Sequence, residues 1–148
     1  GVDGLIVPDM PPEESTTLAP AAARDGLCVI FLLAPTSTPV RLTQIARRSR
    51  GFVYYVSLTG ITGAKLTDLD CVRRNVAKIR KSTDVPVAVG FGISTPRDVA
   101  QVADVADGVI VGSAIVRQIE EHCDHPDMPE RVGQYVSSLK AATVGIQA

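Results

Sequence analysis

Cysteine is scarce: the 148 residues carry only Cys28, Cys71 and Cys123, an odd number set far apart. That excludes a disulfide framework and points to a reducing compartment, so the cytoplasm is the expected location. An excess of one charge is also lacking, since 15 Lys and Arg stand against 16 Asp and Glu for a net charge of −1. The densest basic cluster, Arg47, Arg48 and Arg50, reads as a solvated helix end that suits the negative pole of a helix dipole. Neither nucleic acid nor an anionic membrane is expected as a partner. No apolar run approaches the roughly 20 residues of a membrane span, and no signal-peptide pattern opens the chain. The chain starts at Gly1 on a strand-like segment rather than at Met, so a fragment or a processed product is expected. Metal-ligand spacing is missing too. "EHCDH" (121–125) has no second ligand pair elsewhere, so it reads as a polar helix end running into Pro126, and no metal is expected.

What is present is a globular composition, with 45% hydrophobic and 21% charged residues, enough for one domain over 1–148. Strand-like runs alternate with helix-like stretches. The strands are "GLIVPD" (4–9), "CVIFLLAP" (28–35), "GFVYYVS" (51–57), "VPVAVGFG" (85–92) and "GVIVGS" (108–113). Helices are predicted over the segment 11–26 closed by Gly26, over 38–49, 67–82 and 95–105, from Ser113, and over 130–142. The strands are continuous Val/Ile/Leu runs, which predicts a parallel sheet covered on both faces. "VDGLIVPD" (2–9) and "ADGVIVGS" (106–113) share a D-G-x-I-V core, an echo that suits repeated β-α units.

Two α/β architectures compete. A Rossmann-type sheet carries its glycine fingerprint after the first strand, and no G-x-G-x-x-G occurs here. A (β/α)8 barrel holds phosphate on the loops after its late strands. The glycines follow that second pattern: Gly60 and Gly63 in "LTGITGAK" (58–65), Gly90 and Gly92 in "VGFGIS" (89–94), then Gly112 with Ser113. Ser113 opens a helix whose first N–H groups have no internal partner, and glycine lets a backbone approach phosphate oxygens closely. Gly92 is expected to present its N–H to phosphate, and Gly90 to leave room for something flat. For Phe91, position leaves both the core and a ligand ring open. Five β-α units in 148 residues fall short of a closed barrel, which takes roughly 250, so two bare sheet edges and an open inner face are expected.

"YYVSLTGITGAK", "PVAVGFGIS", "DGVIVGSAIV" and the opening "GVDGLIVPDMPPEES" together resemble the α-subunit family of tryptophan synthase, in order and over essentially the whole chain. The resemblance implies a (β/α)8 barrel of which this chain covers about the last five units. It implies aldol cleavage of indole-3-glycerol phosphate to indole and glyceraldehyde 3-phosphate. It assigns the substrate phosphate to main-chain N–H groups at Gly63, Gly92, Gly112 and Ser113. It places Phe91 on the indole, Tyr54 and Thr62 along the site, with Thr62 on a closing loop, and Gly90 beside the substrate. It further implies docking to a β subunit in an α2β2 assembly, through loops on the same barrel face. The pyridoxal phosphate belongs to that β subunit, and no cofactor is implied for this chain.

The reaction needs a general acid and a general base, and the family's Glu and Asp from early strand-end loops match nothing here. No catalytic residue is therefore assigned. Asp9 ends a strand on the correct face, yet "DMPP" reads as a turn and helix start, and Glu13 and Glu14 suit a helix N-terminus. The alternatives are a half-barrel that binds a phosphorylated ligand or the β subunit without turnover, and another phosphate-binding barrel enzyme acting on a sugar phosphate.

Overall fold

Apolar strands flanked by amphipathic helices are laid out in the computed structural model as a curved run of parallel strands, with residues 1–57, 69–90 and 92–144 described. The strands are β1 (Gly4–Ile6), β2 (Cys28–Ile30), β3 (Leu32–Leu33), β4 (Val53–Val56), β5 (Val87–Gly90) and β6 (Gly108–Ile110). Between and after them lie α1 (Leu18–Arg24), α2 (Pro39–Arg48), α3 (Leu69–Arg80), α4 (Pro96–Ala103), α5 (Ser113–His122) and α6 (Met128–Ala141).

β1 pairs with β2, and β3, β4, β5 and β6 pair in that order, every pairing parallel. The expected second strand is thus interrupted at Phe31, whose side chain is buried. Its carbonyl still accepts the Tyr54 N–H at 3.2 Å, so the two sheets adjoin through that residue. The order never reverses. With right-handed crossovers, an unreversed order puts all helices on one side, as in a barrel wall; a doubly wound sheet reverses and is covered on both faces.

Packing bears this out. Val29, Phe31, Leu33, Val53, Tyr55, Val87 and Val89 alternate along the strands and join one buried cluster with Ile45 and Ala46 of α2, Val72, Val76 and Ile79 of α3, and Val99 and Val102 of α4. Each fully buried aliphatic side chain there contributes about 1.5–3 kcal/mol of transfer free energy. The opposite, inner face carries Ile6, Leu32, Tyr54, Val56 and Ile110. It is only half covered, and Ile6 is 43% exposed. Coverage on both faces, as the continuous apolar runs predict, is therefore met on the helix side alone.

Local chemistry explains the helix limits. Thr38 Oγ1 accepts the Arg41 N–H at 3.3 Å, and Pro39 opens α2. Thr95 and Asp98 form a reciprocal capping box that starts α4. The expected single helix over 11–26 is broken in two: a 3-10 turn at Pro12–Glu14, locked by Ser15 Oγ donating to the Pro12 carbonyl at 2.6 Å, precedes a short α1. Gly26 then leaves the helix with φ 74°, as a terminating glycine does. Among the described residues, no helix is long and apolar enough to cross a membrane.

Candidate functional site

The C-terminal ends of parallel strands gather on one face, and here that face carries the glycine turns. Gly90 pairs with Ile110 in the β5–β6 register. Gly92 and Gly112 each stand two residues further on, so both turns leave the sheet at the same level, and both glycines are exposed. Ser113, exposed, is the first residue of α5, with Gly112 before it and no side-chain cap on that terminus. The Ile115 N–H donates to the Gly112 carbonyl at 2.9 Å, the N–H groups of Ser113 and Ala114 precede any helical acceptor, and the helix dipole adds a partial positive charge.

The glycines are bare for different reasons. Gly92 has φ 71°, a conformation L side chains rarely adopt. At Gly90 a Cβ would stand 2.7 Å from both Cε2 and Oη of Tyr54 and 3.0 Å from Cβ of Ile110. The flat group for which Gly90 leaves room is therefore the chain's own Tyr54 ring, leaning along the inner face towards the strand ends. Gly112 has φ −117°, and no described atom lies within 4 Å of where its Cβ would stand.

Tyr54 is half-buried, and burial pushes its phenol up from its ordinary value, so the hydroxyl stays protonated at neutral pH. Its neighbour Tyr55 points the other way, into the helix-side core, where Asn75 Nδ2 donates to its hydroxyl at 2.9 Å. Thr62, Gly63 and Phe91, named above as site residues, lie outside the described residues; of the others, Tyr54 lies against Gly90, and Gly92, Gly112 and Ser113 follow the ends of the paired strands β5 and β6.

Two supporting groups were missed in the sequence reading. Ser57, at the end of β4, donates to the Gly90 carbonyl from both its N–H (3.0 Å) and its Oγ (3.2 Å). Tyr135, far along the chain in α6, donates its hydroxyl to the Ser94 carbonyl at 2.6 Å. Only the Ser57 contact could have been inferred, from its place one residue past a central strand.

The carboxylates near this face are otherwise engaged or remote. Val7 accepts the Met10 N–H at 3.2 Å, closing a turn that leaves Asp9 exposed at its corner. Glu13 turns away from its own helix start to pair with Arg41 of α2, and that bond holds its carboxyl below the ordinary value. Asp98 is committed to the cap of α4. A small cleft of about 270 Å³, lined by Asp9, Met10, Pro12, Phe31 and Arg41 among others, opens beside β1 and β3. A wider cavity, about 820 Å³, runs along the flank of β6 against Val99, Val109, Ile115, Val136 and Leu139. Among the described residues no group of three or more His, Cys, Asp or Glu could hold a metal ion, and His122 and His125 stand edge to face with ring centroids 6.1 Å apart.

Comparison with known proteins adds an independent line. The family model described as tryptophan synthase alpha chain matches residues 1–144. A tryptophan synthase alpha chain from Nitrosococcus oceani is 50% identical over 143 residues, 96% of this chain and 53% of that one. The one from Geobacter sulfurreducens is 52% identical over 142 residues, again 96% of this chain and 53% of that protein. Among solved structures, the tryptophan synthase alpha chain from Legionella pneumophila superposes with a TM-score of 0.83 at 36% identity, covering 100% of this chain and 54% of that one. A tryptophan synthase structure from Mycobacterium tuberculosis gives 0.82 at 39% identity, covering 97% and 52%. The chain thus spans about half the length of the relatives it matches.

Proposed function

The chain belongs to the tryptophan synthase alpha chain family, a lyase family of (β/α)8 barrels, and from that premise we propose that it supplies the phosphate- and indole-binding part of an enzyme that cleaves indole-3-glycerol phosphate to indole and glyceraldehyde 3-phosphate. The observation that carries this reading is that Gly92 and Gly112 follow the paired ends of the adjacent strands β5 and β6, with α5 opening at Ser113. Main-chain N–H groups at a helix start hold an anion without a cationic side chain. Gly112, at φ −117° and ψ −84°, has a backbone outside the regions that L side chains favour and open space where a Cβ would stand, so a ligand could approach its backbone closely. Gly63 is assigned to the same phosphate and Thr62 and Phe91 to the substrate by family likeness alone.

In this reading Tyr54 forms a wall of the pocket below the phosphate, with Gly90 setting where its ring lies. The general acid and base are a Glu and an Asp that match nothing in these 148 residues; of the carboxylates near this face, Asp98 is held in a cap and Glu13 in an ion pair, and Asp9 stands exposed at the corner of a turn. Without the family's pair, the chain on its own is proposed to bind without turning substrate over. The β subunit, in an α2β2 assembly, is the proposed protein partner and takes up the indole.

The test is indole release from indole-3-glycerol phosphate, with binding followed by calorimetry in the same samples. Saturable binding without release is expected. Release at an enzyme-like rate would place an acid–base pair within this chain, with Asp9 the next residue to replace. Absence of binding would overturn the phosphate site.

A further inference from the structure

The turn that joins β5 to α4 is held from three directions. The Asp98 carboxylate accepts the N–H groups of Ser94 and Thr95 at 3.3 and 2.9 Å, and Thr95 Oγ1 accepts the Asp98 N–H at 3.2 Å. The Ile93 side chain is buried at 3% exposure and anchors the turn in the helix-side core. The third hold is the Tyr135 hydroxyl, which donates to the Ser94 carbonyl at 2.6 Å from a helix 41 residues away. α6 packs on both α4 and α5, the helices that follow the two glycine turns. It is therefore the element placed to set those turns relative to one another.

We propose that Tyr135 is a positioning residue for the anion site: by holding the Ser94 carbonyl it keeps the Gly92 turn in the shape that aims its main-chain N–H at a substrate phosphate. This rests on the phosphate reading above. The hydroxyl suits the task. It is half-buried, and burial pushes its phenol up from the ordinary value, so it remains a donor throughout the neutral range. The α4 cap engages the N–H groups of Ser94 and Thr95, and the Tyr135 bond adds a hold on the Ser94 carbonyl, two residues after Gly92 with its φ of 71°.

The experiment compares the 148-residue chain with Tyr135→Phe, which keeps the ring and removes only the donor. Dissociation constants are measured for inorganic phosphate and, separately, for indole, together with the melting midpoint. The expected result is phosphate binding weakened about fivefold, the equivalent of one net hydrogen bond, with indole binding unchanged. The amide resonances of Gly92 and Ile93 should shift in the free variant while that of Gly112 stays in place. Equal phosphate affinity in the two proteins overturns the proposal and leaves the phosphate reading standing. Equal weakening for both ligands overturns it in favour of a purely structural role. No saturable phosphate binding by the parent chain overturns the phosphate reading and this inference with it.

Discussion

At Gly90 the side chain that must be absent is set by Tyr54. In Gly90→Ala a methyl 2.7 Å from Cε2 and Oη displaces the ring, and its 3.0 Å approach to Ile110 Cβ cannot be relieved by a rotamer change. A loss of about 1–3 kcal/mol is expected, as for overpacking elsewhere. Urea unfolding checks it, and indole affinity should fall in the same protein because the pocket wall has moved. Ser49 gives the opposite expectation. Its side chain is fully buried at the end of α2, and its Oγ has no hydrogen-bond partner among the described residues. An unpaired buried hydroxyl costs free energy that alanine does not, so Ser49→Ala is expected to be neutral or to stabilise by about 1 kcal/mol. A melting midpoint below that of the parent would show that the hydroxyl is paired in solution.

At the scale of elements, the opposite ends of the strands are tied by Asp107. Its carboxylate accepts the Val87 N–H at 2.8 Å and the Arg80 guanidinium at 2.7 Å, joining β6, β5 and α3 at one point. Partial burial alone would raise this carboxyl, but the Val87 N–H and Arg80 outweigh it and hold it below the ordinary value. A depressed carboxylate stabilises the fold above its unfolded pKa, near 3.9, and that contribution is lost as pH falls through the lower folded value. Stability should therefore drop on the acid side of about pH 4, and Asp107→Asn should flatten that limb in urea melts across pH. At the α4 start, Thr95→Ala removes one arm of the capping box and is expected to cost about 1 kcal/mol. These tether and cap residues sit where single-sequence reading is strong for the cap, because Thr and Asp three apart before an apolar helix announce themselves. It is blind to the tether, because Asp107 and Val87 meet only through strand pairing.

The whole molecule presents one covered and one open sheet face. Edges β1 and β6 each lack a second strand among the described residues, Ile6 is 43% and Val136 40% exposed, and the 820 Å³ groove runs along the β6 flank. Parallel edges with apolar flanks pair readily with another chain, and a net charge of −1 offers little repulsion. Purified as these 148 residues, the protein is expected to self-associate through these edges with its helix-side core intact. Light scattering decides this, and a sharp monomer peak would refute it.

Strand and helix order and the parallel sheet were readable from the residues in order, because they depend on local periodicity and turn chemistry, and the family was readable from the likeness of its motifs taken together. The notation of glycine at 90, 92 and 112 was equally plain, but not the reason for each. That required knowing that Tyr54 leans across β5, that the backbone at Gly92 turns left-handed and that Gly112 has open space above it. Glu13's diversion to Arg41, the break of the second strand at Phe31 and the reach of Tyr135 to Ser94 likewise appeared only in three dimensions. Each is a contact between residues distant in the chain, and such contacts are decided by how elements pack, which periodicity does not encode.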